Sequence, residues 1–177
     1  MAKQYGFIID SERCVDCRAC VTACKSNNNI ELGIAWRRVT STWKGNYPNV
    51  TFTSASMSCN HCAEPACIAV CPAEAISKRD EDGIVVVDKT KCIGCRACGE
   101  ACPYHAPRYG KDGLMQKCNL CLDRVGDGKK PACVSTCPAG ALIFGKMDEL
   151  PKLAGKKAVK QLEGTTKPSI FVPMTAF

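Results

Sequence analysis

Apolar residues in this chain come in short bursts rather than long periodic stretches. Tyr5 to Ile9, Val50 to Met57, Ile84 to Val87 and Ala141 to Phe144 are runs of four to eight residues rich in β-branched and aromatic side chains, the pattern of short strands. The longest apolar runs, Gly83 to Val87 and Ala141 to Phe144, fall far short of the roughly 20 residues that a membrane-crossing helix needs. Gly33 to Val50 holds Trp36, Trp43 and turn signals at Gly45-Asn46 and Pro48-Asn49, which predicts a β-hairpin. The lysine-rich segment Lys152 to Lys160 carries no aromatic residue and reads as a solvated helix face or tail. CPAEAI at Cys71 to Ile76 is echoed by CPAGAL at Cys137 to Leu142. One unit therefore recurs: strand, cysteine loop, helical turn, strand. The expected fold class is α+β, with short strands, short helices and long loops.

The polar side of the pattern is dominated by sulfur. Sixteen cysteines form four quartets: Cys14, Cys17, Cys20, Cys24; Cys59, Cys62, Cys67, Cys71; Cys92, Cys95, Cys98, Cys102; and Cys118, Cys121, Cys133, Cys137. The first and third read CxxCxxCxxxC, and Pro72, Pro103 and Pro138 follow the final cysteines of the second, third and fourth. That is the bacterial ferredoxin run for [4Fe-4S] ligation, and four quartets imply four cubane clusters. Three cysteines two residues apart let a loop curl round one face of a cubane with its backbone N–H groups aimed at sulfur. The fourth lies one helical turn on, about 6 Å along the axis, and in two-cluster ferredoxins it ligates the other cluster. Proline then stops the turn, having no N–H and disfavouring helix in the residue before it. Each quartet therefore needs a partner. Cysteine at about 9% of residues approaches a disulfide scaffold, yet tight CxxC blocks suit metal better than stapled loops. Zinc ribbons need two CxxC pairs per ion, often with histidine, and do not end in CxxxCP.

Composition fits a protein built on metal. Of 177 residues 46% are hydrophobic, but that figure includes the cysteines, and aromatics are 6%. The ordinary core is thin, so ligation free energy must supply folding free energy, and the apoprotein should be largely unfolded. The formal charge of +7 treats cysteine as neutral. Four oxidised clusters with their thiolates bring about −8, which leaves the holoprotein near neutral and removes the suggestion of a nucleic-acid partner. Arg13, Lys91 and Lys117 each precede the lead cysteine of a quartet; they read as compensation for buried anionic clusters or as solvated surface cations. Met1 to Asp10 has neither an apolar h-region nor a twin-arginine pair, so no export address is expected.

QYGFIID at Gln4 to Asp10, SCNHC at Ser58 to Cys62, EPAC at Glu64 to Cys67, CIGCRAC at Cys92 to Cys98, CPYHAP at Cys102 to Pro107, KCNLCLDRV at Lys117 to Val125 and KKPACVSTCP at Lys129 to Pro138 carry a family resemblance. Over essentially its whole length the chain resembles the four-cluster iron-sulfur subunit of the dimethyl sulfoxide reductase family of molybdopterin oxidoreductases. In that family the first quartet pairs with the fourth and the second with the third. The resemblance implies one cluster on Cys14, Cys17, Cys20 and Cys137, and a second on Cys24, Cys118, Cys121 and Cys133. It implies a third on Cys59, Cys62, Cys67 and Cys102, and a fourth on Cys71, Cys92, Cys95 and Cys98. Two interleaved ferredoxin-like 2x[4Fe-4S] modules follow, one from residues 1–48 and 108–177, the other inserted as 49–107. Some relatives replace one cysteine of the third quartet by tryptophan and hold a [3Fe-4S] cluster; with Cys95 present, four cubanes are expected.

The implied role is an electron relay between a large molybdopterin catalytic subunit and an integral-membrane, quinol-oxidising subunit or another redox partner. The module of the first and fourth quartets would face the catalytic subunit. A place at the outer face of the cytoplasmic membrane is expected through export with that subunit, a cytoplasmic one being the alternative. Two departures stand out. Lys25, not proline, follows the first quartet, and forty residues follow Cys137, a short tail that leaves a soluble heterodimer open.

His61 and His105 lie beside ligand cysteines, where a hydrogen bond to sulfur competes with the plainer reading of surface histidines. Tyr104, Trp36 and Trp43 read as core packing, as padding for clusters or as interface. No nucleophile and base pair, phosphate loop or substrate-pocket signature appears, so no catalysis is expected of this subunit alone. The alternative function, a free-standing or hydrogenase-associated polyferredoxin, would use the same quartets.

Overall fold

The computed structural model describes residues 3–174. Its organising element is β1 (Tyr5–Ile9), whose Phe7, Ile8 and Ile9 are almost fully buried. A strand flanked on both sides and covered on both faces reads as a continuous apolar run rather than an alternation, which is why YGFII has no polar position. β1 pairs antiparallel with β8 (Leu142–Lys146), from Tyr5 opposite Lys146 to Ile9 opposite Leu142. It pairs parallel with β10 (Ile170–Pro173), and β9 (Val159–Gln161) closes the far edge in the order β8-β1-β10-β9. Phe144 stacks on Tyr5 with ring centroids 5.0 Å apart and meets Phe7 at 5.9 Å. Strand β1 is thus clamped between β8 and β10.

The expected strands at Val50, Ile84 and Ala141 appear as β3 (Asn49–Met57), β5 (Val85–Val87) and β8. The predicted hairpin exists, but further along than Gly33 to Val50. Its strands are β2 (Arg38–Asn46) and β3, paired from Arg38 opposite Met57 to Asn46 opposite Asn49. The polar-aromatic alternation of both arms is one ribbon, buried at its base by Ser54 and Ser56 and exposed at its tip. β4 (Ile76–Lys78) pairs with β5, and β6 (Arg108–Tyr109) with β7 (Met115–Gln116). The lysine-rich segment is not one helix face: α6 (Leu150–Leu153) gives way to a turn and then to strand β9. Among the described residues no helix is long and apolar enough to cross a membrane.

Four of the helices are single turns that begin close to a cysteine: α2 (Ala66–Ala69), α3 (Ala97–Glu100), α4 (Leu122–Gly126) and α5 (Ala132–Ser135). α1 (Ala19–Asn27) is longer and runs past Cys24, because Lys25 does not stop it as Pro72, Pro103 and Pro138 stop the other units. Asp10 fastens this first unit. Its carboxylate, 4% exposed, accepts the N–H groups of Glu12 and Arg13 at 3.1 and 3.2 Å and the Lys157 ammonium at 2.6 and 2.7 Å. Replacing Asp10 by Ala should lower stability by about 1.5–3 kcal/mol, the usual loss of hydrogen bonds to a buried charge. Lys157→Met should cost less than about 1 kcal/mol, since the lysine is partly solvated. Denaturant unfolding of the oxygen-free holoprotein measures both.

Candidate metal centres

All sixteen cysteines are free thiols. The loop after the lead cysteine of every quartet bends the same way: Asp16, His61, Gly94 and Leu120, each one residue before the second cysteine, all have positive φ. After three of the four quartets the backbone turns left-handed again at the third residue beyond the last cysteine, at Glu74, His105 and Gly140. These bends gather sulfurs from distant segments. Cys14, Cys17, Cys20 and Cys137 line one cavity of about 330 Å³, its open mouth included. Cys59, Cys62, Cys67 and Cys102 line another of about 340 Å³, and Cys71, Cys92, Cys95 and Cys98 a third of about 340 Å³. The sulfurs of Cys118, Cys133 and Cys121 act electrostatically on Cys24, and all four of these cysteines are buried. α1 packs on α5 to bring them together.

The sulfurs face donors. The N–H of the fourth residue after the final cysteine points back at it in three units: Ala75 to Cys71 at 3.3 Å, Ala106 to Cys102 at 3.5 Å and Ala141 to Cys137 at 3.3 Å. In the first unit helix α1 continues, and Asn28 at the same position uses its side-chain amide, 3.9 Å from Cys24 and 3.8 Å from Cys121. Met115 and Leu120 aim backbone N–H groups at Cys92 and Cys118, and the Thr166 hydroxyl donates to Cys62 at 3.2 Å. Concave sets of N–H groups like these favour anions.

Comparison with known proteins finds iron-sulfur families and relatives. The 4Fe-4S dicluster domain family matches residues 50–147, and a 4Fe-4S binding domain matches residues 5–26. A polypeptide of the anaerobic dimethyl sulfoxide reductase of Escherichia coli (strain K12) is 47% identical over 188 residues, covering 99% of this sequence and 91% of the relative. This protein belongs to the dimethyl sulfoxide reductase family of iron-sulfur subunits. Thiosulfate reductase electron transfer subunit PhsB of Salmonella typhi is 42% identical over 90% of this sequence and 85% of its own. A sulfite dehydrogenase subunit of Allochromatium vinosum is 39% identical over 82% and 70%.

The residues of this dimethyl sulfoxide reductase family member fit iron-sulfur clusters on electrostatic grounds as well. Burial pushes the Cys24 and Cys67 thiols up to about 12 and the Cys118 thiol to about 11. Buried thiols so crowded ionise only if a cation comes between them, and coordination to iron supplies one. Among the described residues no three His, Cys, Asp or Glu side chains gather as one metal ion requires; four thiols round an open volume suit a larger guest. Asn60, 2% exposed, lines the Cys59 cavity with both amide atoms unpartnered, and a cluster sulfur would accept its N–H.

The flagged side chains divide. Lys117 is buried, its ammonium donating to the carbonyls of Val85 and Cys118, whereas Arg13 and Lys91 are solvated. His105 is exposed. His61 is not a surface histidine: it is 1% exposed, its Nδ1 accepts the Val85 N–H at 3.0 Å, and burial lowers its pKa. Trp36 packs against the cluster of Cys59, Ala106 and Cys118 and donates to Gln116 at 2.9 Å, and Tyr104 lines the Cys59 cavity. Trp43 stands outside the core, paired with Phe52 near the hairpin tip. Nothing in the cysteine spacing pointed to Arg37, the largest fully buried side chain. Stripping iron with a chelator and an oxidant should abolish far-UV circular dichroism and near-ultraviolet tertiary signals together; a folded, colourless apoprotein is the contrary outcome.

Proposed function

We propose that this subunit is a non-catalytic electron relay carrying four [4Fe-4S] clusters between a molybdopterin catalytic subunit and a quinol-linked membrane subunit or other redox partner. The first cluster is held by Cys14, Cys17, Cys20 and Cys137, and the second by Cys24, Cys118, Cys121 and Cys133. Cys59, Cys62, Cys67 and Cys102 hold the third, and Cys71, Cys92, Cys95 and Cys98 the fourth. The observation that carries the reading is how the sulfurs are shared among three apolar clusters. One contains Cys20, Cys137 and Cys133; the next Cys118, Cys59 and Cys102; the last Cys67, Cys71, Cys92 and Cys98. Each bridges two successive sites, so the four form a line rather than a ring.

Exposure supports the same order. Cys17 and Cys95 are the two exposed cysteines, beside Val15 at 64% and Ile93 at 67% exposure, and they belong to the first and fourth sites. The second site is wholly buried. A line with open ends suits entry at one end and exit at the other, the first-site end facing the catalytic subunit.

In this reading the protein is two interleaved ferredoxin-like modules, 1–48 with 108–177 and the inserted 49–107. The pairing of β1 with β8 and β10 supports the outer one. Their border is shared, since β2 and β3 form one hairpin and Thr166 reaches Cys62.

The oxygen-free protein should carry about sixteen iron and sixteen sulfide per molecule, four of each per cubane, and should co-purify with a large molybdenum-containing polypeptide. A monomer without such a partner would favour the polyferredoxin alternative. Crossed ligation has its own test in a redox titration followed by electron paramagnetic resonance. Cys24→Ser and Cys118→Ser should alter one and the same centre, and Cys14→Ser a different one; if Cys24→Ser matches Cys14→Ser, the crossed assignment is wrong.

A further inference from the structure

Arg37 lies just before β2 and is 1% exposed. One terminal nitrogen donates to the carbonyl and hydroxyl of Ser56 at 2.8 and 3.2 Å, and the other to the Ser58 hydroxyl at 2.9 Å. Nε has no hydrogen-bond partner, and the guanidinium lies over the Phe7 ring, 4.9 Å from its centroid. Among the described residues no carboxylate pairs with it. A buried cation left without a counter-charge costs several kcal/mol, and neutral hydroxyls do not supply one. The groups that favour its charged form are the sulfurs of Cys133, Cys118, Cys20 and Cys24, which oppose the effect of burial. Those four cysteines belong to two different sites.

The hydroxyl of Ser56 adds direction. Arginine has only donors, so Ser56 Oγ accepts from Arg37, which leaves its own hydrogen for Cys20 Sγ, 3.2 Å away. Ser56 is itself buried at 3% exposure. A fixed positive charge and an O–H donor both stabilise sulfur-borne negative charge. Such charges and hydrogen bonds are among the levers that set cluster potentials.

We propose that Arg37 sets the reduction potentials of the first two clusters together, by its charge at the second site and through the Ser56 hydroxyl at the first. This rests on the cluster assignment above. When either site takes one electron from its redox neighbour, its total charge becomes more negative by one, and Arg37 favours that state. Because one side chain acts on both, the two potentials are raised in step and transfer between them is spared a steep uphill move.

The test is a redox titration of the intact complex followed by electron paramagnetic resonance, for the wild type, Arg37→Met, Arg37→Lys and Ser56→Ala. Arg37→Met should lower the reduction equilibrium constant of two centres at least tenfold, about 59 mV for one electron, and leave the other two in place. Ser56→Ala should lower only one of that pair. Arg37→Lys keeps the charge and should recover most of the other. Four unmoved centres in Arg37→Met, or a shift by Ser56→Ala in a centre outside the pair, would overturn the proposal. If Arg37→Met does not assemble, Ser56→Ala decides: a fall confined to one centre upholds the relay, and an unchanged set refutes it. A wild-type protein without cluster signals would instead remove the underlying assignment.

Discussion

Negative charge on sulfur, held away from water, is the constraint to which the rest of this structure answers. An ordinary domain of this size hides hydrocarbon; this one hides thiols, several of which resist ionisation until a cation joins them. The fold responds with backbone N–H groups aimed at sulfur, set beside the left-handed residues that recur at fixed places in the quartets. It also buries two cations, Arg37 and Lys117, that would be hard to explain in a cysteine-free core. The helices around the cysteines are mostly one turn long because their work is to deliver a sulfur and stop.

The same constraint explains the arrangement of the ordinary core. The three apolar clusters do not stand apart from the cysteines but are built round them, with Phe7, Ile9 and Leu142 beside Cys20 and Cys133, and Ile76, Val85 and Met115 beside Cys98. Aliphatic side chains keep water from the sulfurs, which lowers the local dielectric and strengthens every N–H contact they make. The sheet β8-β1-β10-β9 ties the first strand to the last three. The segment Thr166 to Ser169 then reaches across to the second quartet, where Ser169 donates to the carbonyls of Asn60 and His61.

Much of this is legible in the residues and some of it is not, for identifiable reasons. Cysteine spacing is local, so the quartets and their helical turns can be read directly, as can Tyr5–Ile9, whose burial on both faces leaves an unbroken apolar run. The hairpin is recognisable but its bounds are not. Its strongest turn formers, Gly45, Asn46, Pro48 and Asn49, suggest a ribbon that closes at Val50, when they stand at its middle. β9 is a polar edge strand of three residues, and β10 pairs on one side with β9 and on the other with β1, some 160 residues back, so the sheet that holds them has no local signature. His61 and Arg37 are illegible for a deeper reason. A charged or polar group is tolerated inside a protein only through neighbours that tertiary structure brings to it. For Arg37 those neighbours are sulfurs from both ends of the sequence.

The nesting of the cavities also dictates an order in time. All the cysteines that line the two cavities of the second and third quartets lie between Cys59 and Cys102, whereas the cavity of Cys14, Cys17 and Cys20 is incomplete without Cys137. A ribosome adding about 5–20 residues per second reaches Cys137 several seconds after Cys102. Until then the nascent polypeptide carries three N-terminal thiols without the fourth that completes their cavity, open to oxygen and to stray metal. Biogenesis of such a protein thus favours a cell interior poor in oxygen, or a chaperone that shields the leading cysteines until the last one arrives.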